Sequence, residues 1–302
     1  MNKSFTLIEI LVVIVVIGIL SAFILVGMNS ITTSANIAKS KAFSESLRSS
    51  LLDNLVSEWK LDEESGTNII DSWKTNNGTL VNFANTSSGY GDNNTSGWMS
   101  EGNCISGTCL KLDGANNYIS TTDLDFTSTN ALSVSVWVKT SVSVTTIISK
   151  PDLASGAGSP KYVLDNAASN LRFFGYCVEG LRGITGGTIG GTRDGKWHHI
   201  VGTFDGTNWT IYKDVVTKQT LLSAGTLGNS NYNMLIGARN IDSSFWNGQI
   251  DNLYLYSTAI ISFQIKENYF LGLNSLYKNG ELDKIEYGQK LTQLKYNLVN
   301  NE

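Results

Sequence analysis

Hydrophobic residues follow three different rhythms along this chain. From Phe5 to Met28 they are nearly continuous, and Glu9 is the one charged residue in the run. Roughly two dozen apolar residues suffice for a helix to cross a hydrocarbon core. After Met28 the spacing loosens to a helical stripe of Ile31, Ala35, Ala38, Ala42, Leu47, Leu51, Leu52 and Leu55, with Lys39, Lys41, Glu45 and Arg48 between them. The two stretches together predict one helix over 5–57, about 80 Å long at 1.5 Å per residue. A helix of that length needs lipid or other helices against its first half and a packed domain against its second.

At Val56-Ser57-Glu58-Trp59 the rhythm changes to alternation. Strands are predicted at 109–112, 118–121, 132–139, 145–149, 161–164, 171–177, 197–204, 207–213, 234–236 and 248–256. Asp113-Gly114, Asn116-Asn117, Asp205-Gly206 and Asn247-Gly248 mark turns between them. Many short strands without intervening helices predict a two-sheet sandwich. In 132–139, period-two alternation puts Leu132, Val134, Val136 and Val138 on the buried face and leaves the serines outside. A helical rhythm returns after Thr258. Ile265, Tyr269, Leu271, Leu276 and Tyr277 precede a break at Asn279-Gly280, and Leu282, Ile285, Tyr287, Leu291, Leu294 and Leu298 follow it. The expected element is a helical hairpin, packed either on the long N-terminal helix or on the sandwich.

Glu9 is the anomaly of the apolar run. A carboxylate deep in a bilayer costs about 2.5–3.5 kcal/mol on insertion scales, which a plain anchor has no reason to bear. Lys3-Ser4-Phe5-Thr6-Leu7-Ile8-Glu9, followed by an apolar run containing Gly18, resembles the signal of type IV pilins and type II secretion pseudopilins. The resemblance implies that a prepilin peptidase cuts between Ser4 and Phe5 and methylates the new amino terminus. The residue before that cut is usually Gly, and here it is Ser4. It also implies that Glu9 neutralises the Phe5 amine of a neighbouring subunit, since the paired charges share an apolar core that neither enters alone. Lys3 on the cytoplasmic side implies that the rest of the chain crosses the membrane.

The alternating region resembles a second family, the concanavalin A-like, laminin-G-like jelly roll. Five strings carry the likeness, in order: Trp59-x-Leu61-Asp62-Glu63-x-Ser65-Gly66, Leu110-Lys111-Leu112-Asp113-Gly114 with Tyr118-Ile119, Leu132 to Lys139, Asp194-Gly195-Lys196-Trp197-His198-His199 through Gly206, and Phe245 to Tyr256. The expected class is therefore α+β. Its parts are a leader at 1–4, a stem helix at 5–57 with its transmembrane part at 5–28, a jelly roll at 58–258 and a helical extension at 259–302. The implied function is a pilin-like or pseudopilin subunit whose head binds a glycan or a surface protein. The rival is a membrane-anchored carbohydrate-binding protein or carbohydrate-active enzyme that does not assemble.

Composition adds little against this. The 302 residues carry a net charge of −4 and only 16% charged residues, which does not suggest a nucleic-acid partner. Cys104 and Cys109 bracket a four-residue turn that a local disulfide can close, and Cys177 is left as a small buried hydrophobe. His198 and His199 are the two histidines, and as strand neighbours at most one faces inward. Jelly-roll glucanases place carboxylates as E-x-D-x-x-E or E-x-D-x-E, and neither pattern occurs here, so no enzymatic role is expected. Laminin-G-like domains often hold calcium, and the resemblance implies Asp62, Asp71, Asp113 and Asp251 as contributors. Trp73, Trp98 and Trp246 lie in or near loops, where a ring face can stack on a sugar, as does Trp209. Trp59, Trp137 and Trp197 fall in core motifs.

Overall fold

The computed structural model describes residues 54–300, apart from 94, 143–145, 153–158, 168, 169 and 242, and gives the backbone alone for 295–300. Ser4, Phe5, Glu9 and the helix expected up to residue 53 lie outside the described residues. The last three residues assigned to that helix do not belong to one. Leu55, Ser57 and Trp59 alternate inward as a strand, because a partner strand pairs along them. Among the described residues, no helix is long and apolar enough to cross a membrane.

Sixteen strands and two helices are described: β1 (Leu55–Trp59), β2 (Asn68–Ile69), β3 (Gly78–Val81), β4 (Gly97–Met99), β5 (Cys109–Asp113), β6 (Tyr118–Ser120), β7 (Leu132–Lys139), β8 (Thr146–Lys150), β9 (Tyr162–Ala167), β10 (Asn170–Cys177), β11 (Gly180–Ile184), β12 (Trp197–Phe204), β13 (Asn208–Lys213), β14 (Thr217–Leu222), β15 (Leu235–Ile236), β16 (Asn247–Tyr256), α1 (Ser262–Lys278) and α2 (Lys284–Asn300). They form two antiparallel sheets. The first runs β14-β13-β12-β7-β16-β5-β4, and β1 shares one flank of β16 with β5. The second runs β11-β10-β9-β8-β15-β6-β3-β2. A bulge between Asp251 and Tyr254 bends β16 between these two sets of partners.

The core lies between the sheets. Leu132, Val134, Val136 and Val138 of β7 point into it, with Leu110 and Leu112 of β5, Ile200 and Phe204 of β12, and Phe173 of β10. Trp209 fills the far end, stacked 4.2 Å from Phe204 and edge-on to Phe173 at 5.0 Å. The outward face of β7 is buried as well, which the alternation did not predict. Ser133, Ser135 and Trp137 are covered because α1 lies over them. Ser133 Oγ donates to the Thr258 carbonyl at 2.7 Å and accepts from the Ile260 amide at 3.0 Å, which fixes the chain leading into α1. Tyr269 then stacks on Trp137 at 5.7 Å and 8°.

The break at Asn279-Gly280 is where α1 ends. Gly280 takes a φ of +80°, which a side chain would resist. Asp283 opens α2 by accepting from the amides of Ile285 and Glu286, each at 2.8 Å. The hairpin packs on the sandwich through a second apolar cluster of Met99, Cys104, Ile105, Cys109, Trp137, Trp197, Tyr269, Leu273, Leu276, Leu282 and Leu294. Cys104 and Cys109 are joined by a disulfide, and Asn279 reaches the carbonyls of Cys104 and Ile105 at 3.3 Å.

Two predictions follow from this interface. A methyl group at Gly272 would sit 2.2 Å from the Trp137 ring. Ala raises helix propensity by about 1 kcal/mol over Gly, but overpacking costs about 1–3 kcal/mol. Gly272→Ala should therefore lower the thermal midpoint and expose residues 259–302 to limited proteolysis. His199 sits under Tyr269 with its Nε2 2.8 Å from Ser135 Oγ, and burial pushes its pKa down to about 4. The unfolded chain takes up this proton near pH 6.5 and the folded one only near 4. The stability it contributes is complete above pH 6.5 and is lost as pH falls to 4, by about 3 kcal/mol in all. Urea titrations of His199→Gln should show a shallower loss over that range than the parent.

Candidate functional site

Register across three strands builds a polar row on the outer face of the first sheet. Gln249 of β16 lies opposite Lys111 of β5 on one side and Lys139 of β7 on the other, and Lys139 in turn faces Trp197 of β12. These positions share a face because side chains alternate along each strand. The row stops at the rim of the hairpin. One strand step further in, Cys109, Asp251, Trp137 and His199 are buried beneath it.

The row floors a cleft of about 370 Å³, closed at its outer end by Asp113, Thr140, Ser141 and Asn247. The rim is rigid. Asn247 donates to the Asp113 carbonyl at 2.7 Å, and Thr140 donates to the Asn247 carbonyl at 2.7 Å. Lys139 is aimed by Glu281 of the hairpin loop at 2.9 Å and lies 6.0 Å from the Trp197 ring centre. Burial lowers the pKa of Lys111. Past Gly195 a second cavity of about 230 Å³ continues between β7, β12 and the hairpin, walled by Trp137, Trp197 and Tyr269. The cleft is thus lined by two ammonium groups, two side-chain amides, two hydroxyls and one carboxylate. That set suits hydrogen bonding to a polyhydroxylated ligand.

The residues singled out in the sequence lie elsewhere, with Asp113 at the cleft rim as the exception. Trp98 and Trp246 are 0% exposed. Trp98 donates to the Gly66 carbonyl from inside the sandwich at 2.9 Å, so neither ring offers a face to a sugar. Both lie beside turns, yet the strand direction carries the side chains inward. Trp209 is core for the same reason. Trp73, 38% exposed, stays on the surface.

The four aspartates do not converge. Asp71 accepts from the amides of Glu58, Trp73 and Asn76 and organises the turn after β2. Asp62 accepts from Thr108 at 3.1 Å, and Asp113 accepts from Ala115 at 2.8 Å. Asp251 is fully buried and accepts from Ile105 and Ser106 of the disulfide loop. Burial raises its pKa well above the carboxylate range. Among the described residues, the one group of three candidate ligands within 4.8 Å is Cys104, Cys109 and Asp251, whose sulfurs are already bonded to each other. The oxygens that the resemblance assigned to calcium thus serve separate backbone turns and do not form a common cage.

The histidines also have other duties. His198 is bracketed by Asp214 at 2.6 Å and Asp194 at 2.9 Å. Both rings are buried, not one, because the core covers one side of β12 and α1 the other. Ser135 and His199 touch, but neither is open to a substrate.

Comparison with known proteins agrees with this architecture. A laminin-G-type profile of the concanavalin A-like lectin/glucanases superfamily matches residues 113–266, and the prokaryotic N-terminal methylation motif matches residues 1–25. No curated protein matches the chain. Among solved structures, the binding domain of Paraclostridial Mosquitocidal Protein 1 is similar with a TM-score of 0.52 at 13% identity, over 74% of this chain and 53% of that one. The chain thus spans about half the length of that structure. Domain 4 of the extracellular arabinanase AbnA from Geobacillus stearothermophilus, solved with arabinotriose, gives a TM-score of 0.48 at 20% identity, over 71% of this chain and 97% of that one. Trypanosoma rangeli sialidase gives 0.48 at 14% identity, over 72% and 32%. At 13% identity the first of these likenesses is one of fold alone. The chain belongs to the concanavalin A-like lectin/glucanases superfamily and carries a prokaryotic N-terminal methylation motif ahead of its sandwich.

Proposed function

We propose that the chain is a pilin-like or pseudopilin subunit of a type IV pilus or type II secretion-type filament, and that its lectin-like head binds glycan in the Lys111–Gln249–Lys139 cleft. One observation carries the first half: the methylation motif, with Phe5 at the expected cut and Glu9 four residues beyond it, precedes a sandwich that belongs to a lectin superfamily. In this reading a prepilin peptidase removes residues 1–4. The N-terminus lies on the cytoplasmic side of the membrane and the head outside. Subunits join through Glu9 and the Phe5 amine of a neighbour.

The cleft supports binding rather than turnover. Glycoside hydrolysis needs two carboxylates across one bond, and Asp113 is the only carboxylate lining it among the described residues. Its amides match sugar hydroxyls as donors and acceptors, and its ammonium groups match them as donors.

Two experiments test the two halves. Intact mass of protein from its native membrane should give a chain beginning at N-methyl-Phe5, and Glu9→Val should stay in the membrane fraction and be lost from sheared filaments. A chain retaining Met1 in a cell with active prepilin peptidase would overturn the subunit reading. Residues 54–302 should bind on a glycan array, and Gln249→Ala or Lys111→Ala should weaken that binding about tenfold each, the worth of one good hydrogen bond. Binding that both variants leave intact would move the site elsewhere. Hydrolysis of an arrayed glycan would replace a binding head with an enzyme.

A further inference from the structure

A buried lysine stands against two carboxylates in the second sheet, away from the cleft. Lys150, the last residue of β8, is 0% exposed. Its Nζ contacts Asp123 Oδ1 directly, lies 3.7 Å from Asp125 Oδ1 and donates to the Tyr232 carbonyl at 2.5 Å. Asp125 in turn shares a side-chain hydrogen bond with Asp123, and its pKa is raised, first by burial and also by the neighbouring Asp123 charge. Its Oδ1 is buried without a hydrogen-bond partner. Tyr162, fully buried beside both carboxylates and edge-on to Phe126 at 5.7 Å, packs against the group, whose Lys150 is sealed from water while Asp123 keeps 44% of its side chain exposed.

We propose that Lys150 and Asp123 condense into an intramolecular amide, with Asp125 as the proton relay. The step needs no partner beyond the three side chains. The reacting form is a neutral amine facing a neutral acid, reached by transfer of one proton from Nζ to Asp123 across their direct contact. The Nζ lone pair attacks Cγ of Asp123. Asp125 donates a proton to the departing hydroxyl and recovers one from the nitrogen. The Cγ–O bond breaks, the Nζ–Cγ bond remains, and one water leaves. Nothing is oxidised or reduced, and Asp125 ends as it began.

The placement gives the bond a structural purpose. Lys150 closes β8, and Asp123 lies in the loop after β6. Between β8 and β6 the second sheet is joined only by β15, a strand of 2 residues. An amide at this position would span that two-residue strand and tie the two halves of the sheet covalently.

Tryptic mapping of the full chain, purified under reducing conditions, tests the proposal directly. Trypsin cleaves after Lys111, Lys139 and Lys161 and spares the Lys150-Pro151 bond, so Asp123 and Lys150 fall in peptides 112–139 and 140–161. The two should appear as one branched species, lighter than their sum by one water, about 18 Da, with fragment ions placing the junction at Lys150 and Asp123. Asp125→Asn should give the separate peptides while keeping the parent's circular dichroism. Separate peptides of full mass from the parent chain would overturn the bond. So would a missing water confined to peptide 112–139, as an imide at Asp113-Gly114 would give. A branched species in Asp125→Asn would overturn the relay.

Discussion

Covering the first sheet on both faces is the constraint on which the rest of this head depends. β7 buries its valines against the opposite sheet and its Ser133, Ser135 and Trp137 against α1. The stack of Tyr269 on Trp137, with Gly272 giving the helix room to approach, joins the hairpin to the sandwich. That single contact decides several others. It buries His199 and holds it neutral, and it carries Glu281 to Lys139 at the lip of the cleft. The hairpin is thus an integral third layer, and the cleft is partly its product.

Much of this was legible in the sequence. The strands 132–139 and 197–204 and the break at Asn279-Gly280 stand where period and turn chemistry put them. The strands that escaped notice lack that signal. β4 has 3 residues, and β11 contains two glycines. β14 is exposed along almost its whole length, so no alternation was selected in Thr217–Leu222. β1 was hidden because Leu51, Leu52 and Leu55 continue a helical stripe up to the point where β16 captures the chain. Burial of the β7 serines was illegible for a different reason: alternation reports one covered face and is silent about a second layer arriving some 130 residues later.

The site was harder to read than the fold. Lys111, Gln249 and Lys139 come from three strands distant in sequence, and only the ladder register makes them neighbours. Trp98 and Trp246 stand beside turns and read as surface residues, whereas Trp98 lies within β4 and Trp246 adjoins β16, and both are buried. The four aspartates read as motif residues in the sequence, and in the structure they hold backbone amides in turns and loops. Lys150 and its two aspartates carried no motif at all. Their conjunction exists only because β8 and the loop after β6 end side by side across β15.

β16 has a consequence for how the head comes to exist. It lies in the middle of its sheet, flanked by β7 on one side and by β1 and β5 on the other, yet it is the last strand along the chain. Leu55 waits for Tyr256, about two hundred residues downstream, before its pairing can form. Contacts so far apart close slowly and leave early strands without partners in the meantime. A chain passing through a pore in sequence order, behind an N-terminus retained on the near side, would therefore emerge as an unfinished sheet, and assembly of the sandwich would wait until β16 had come through.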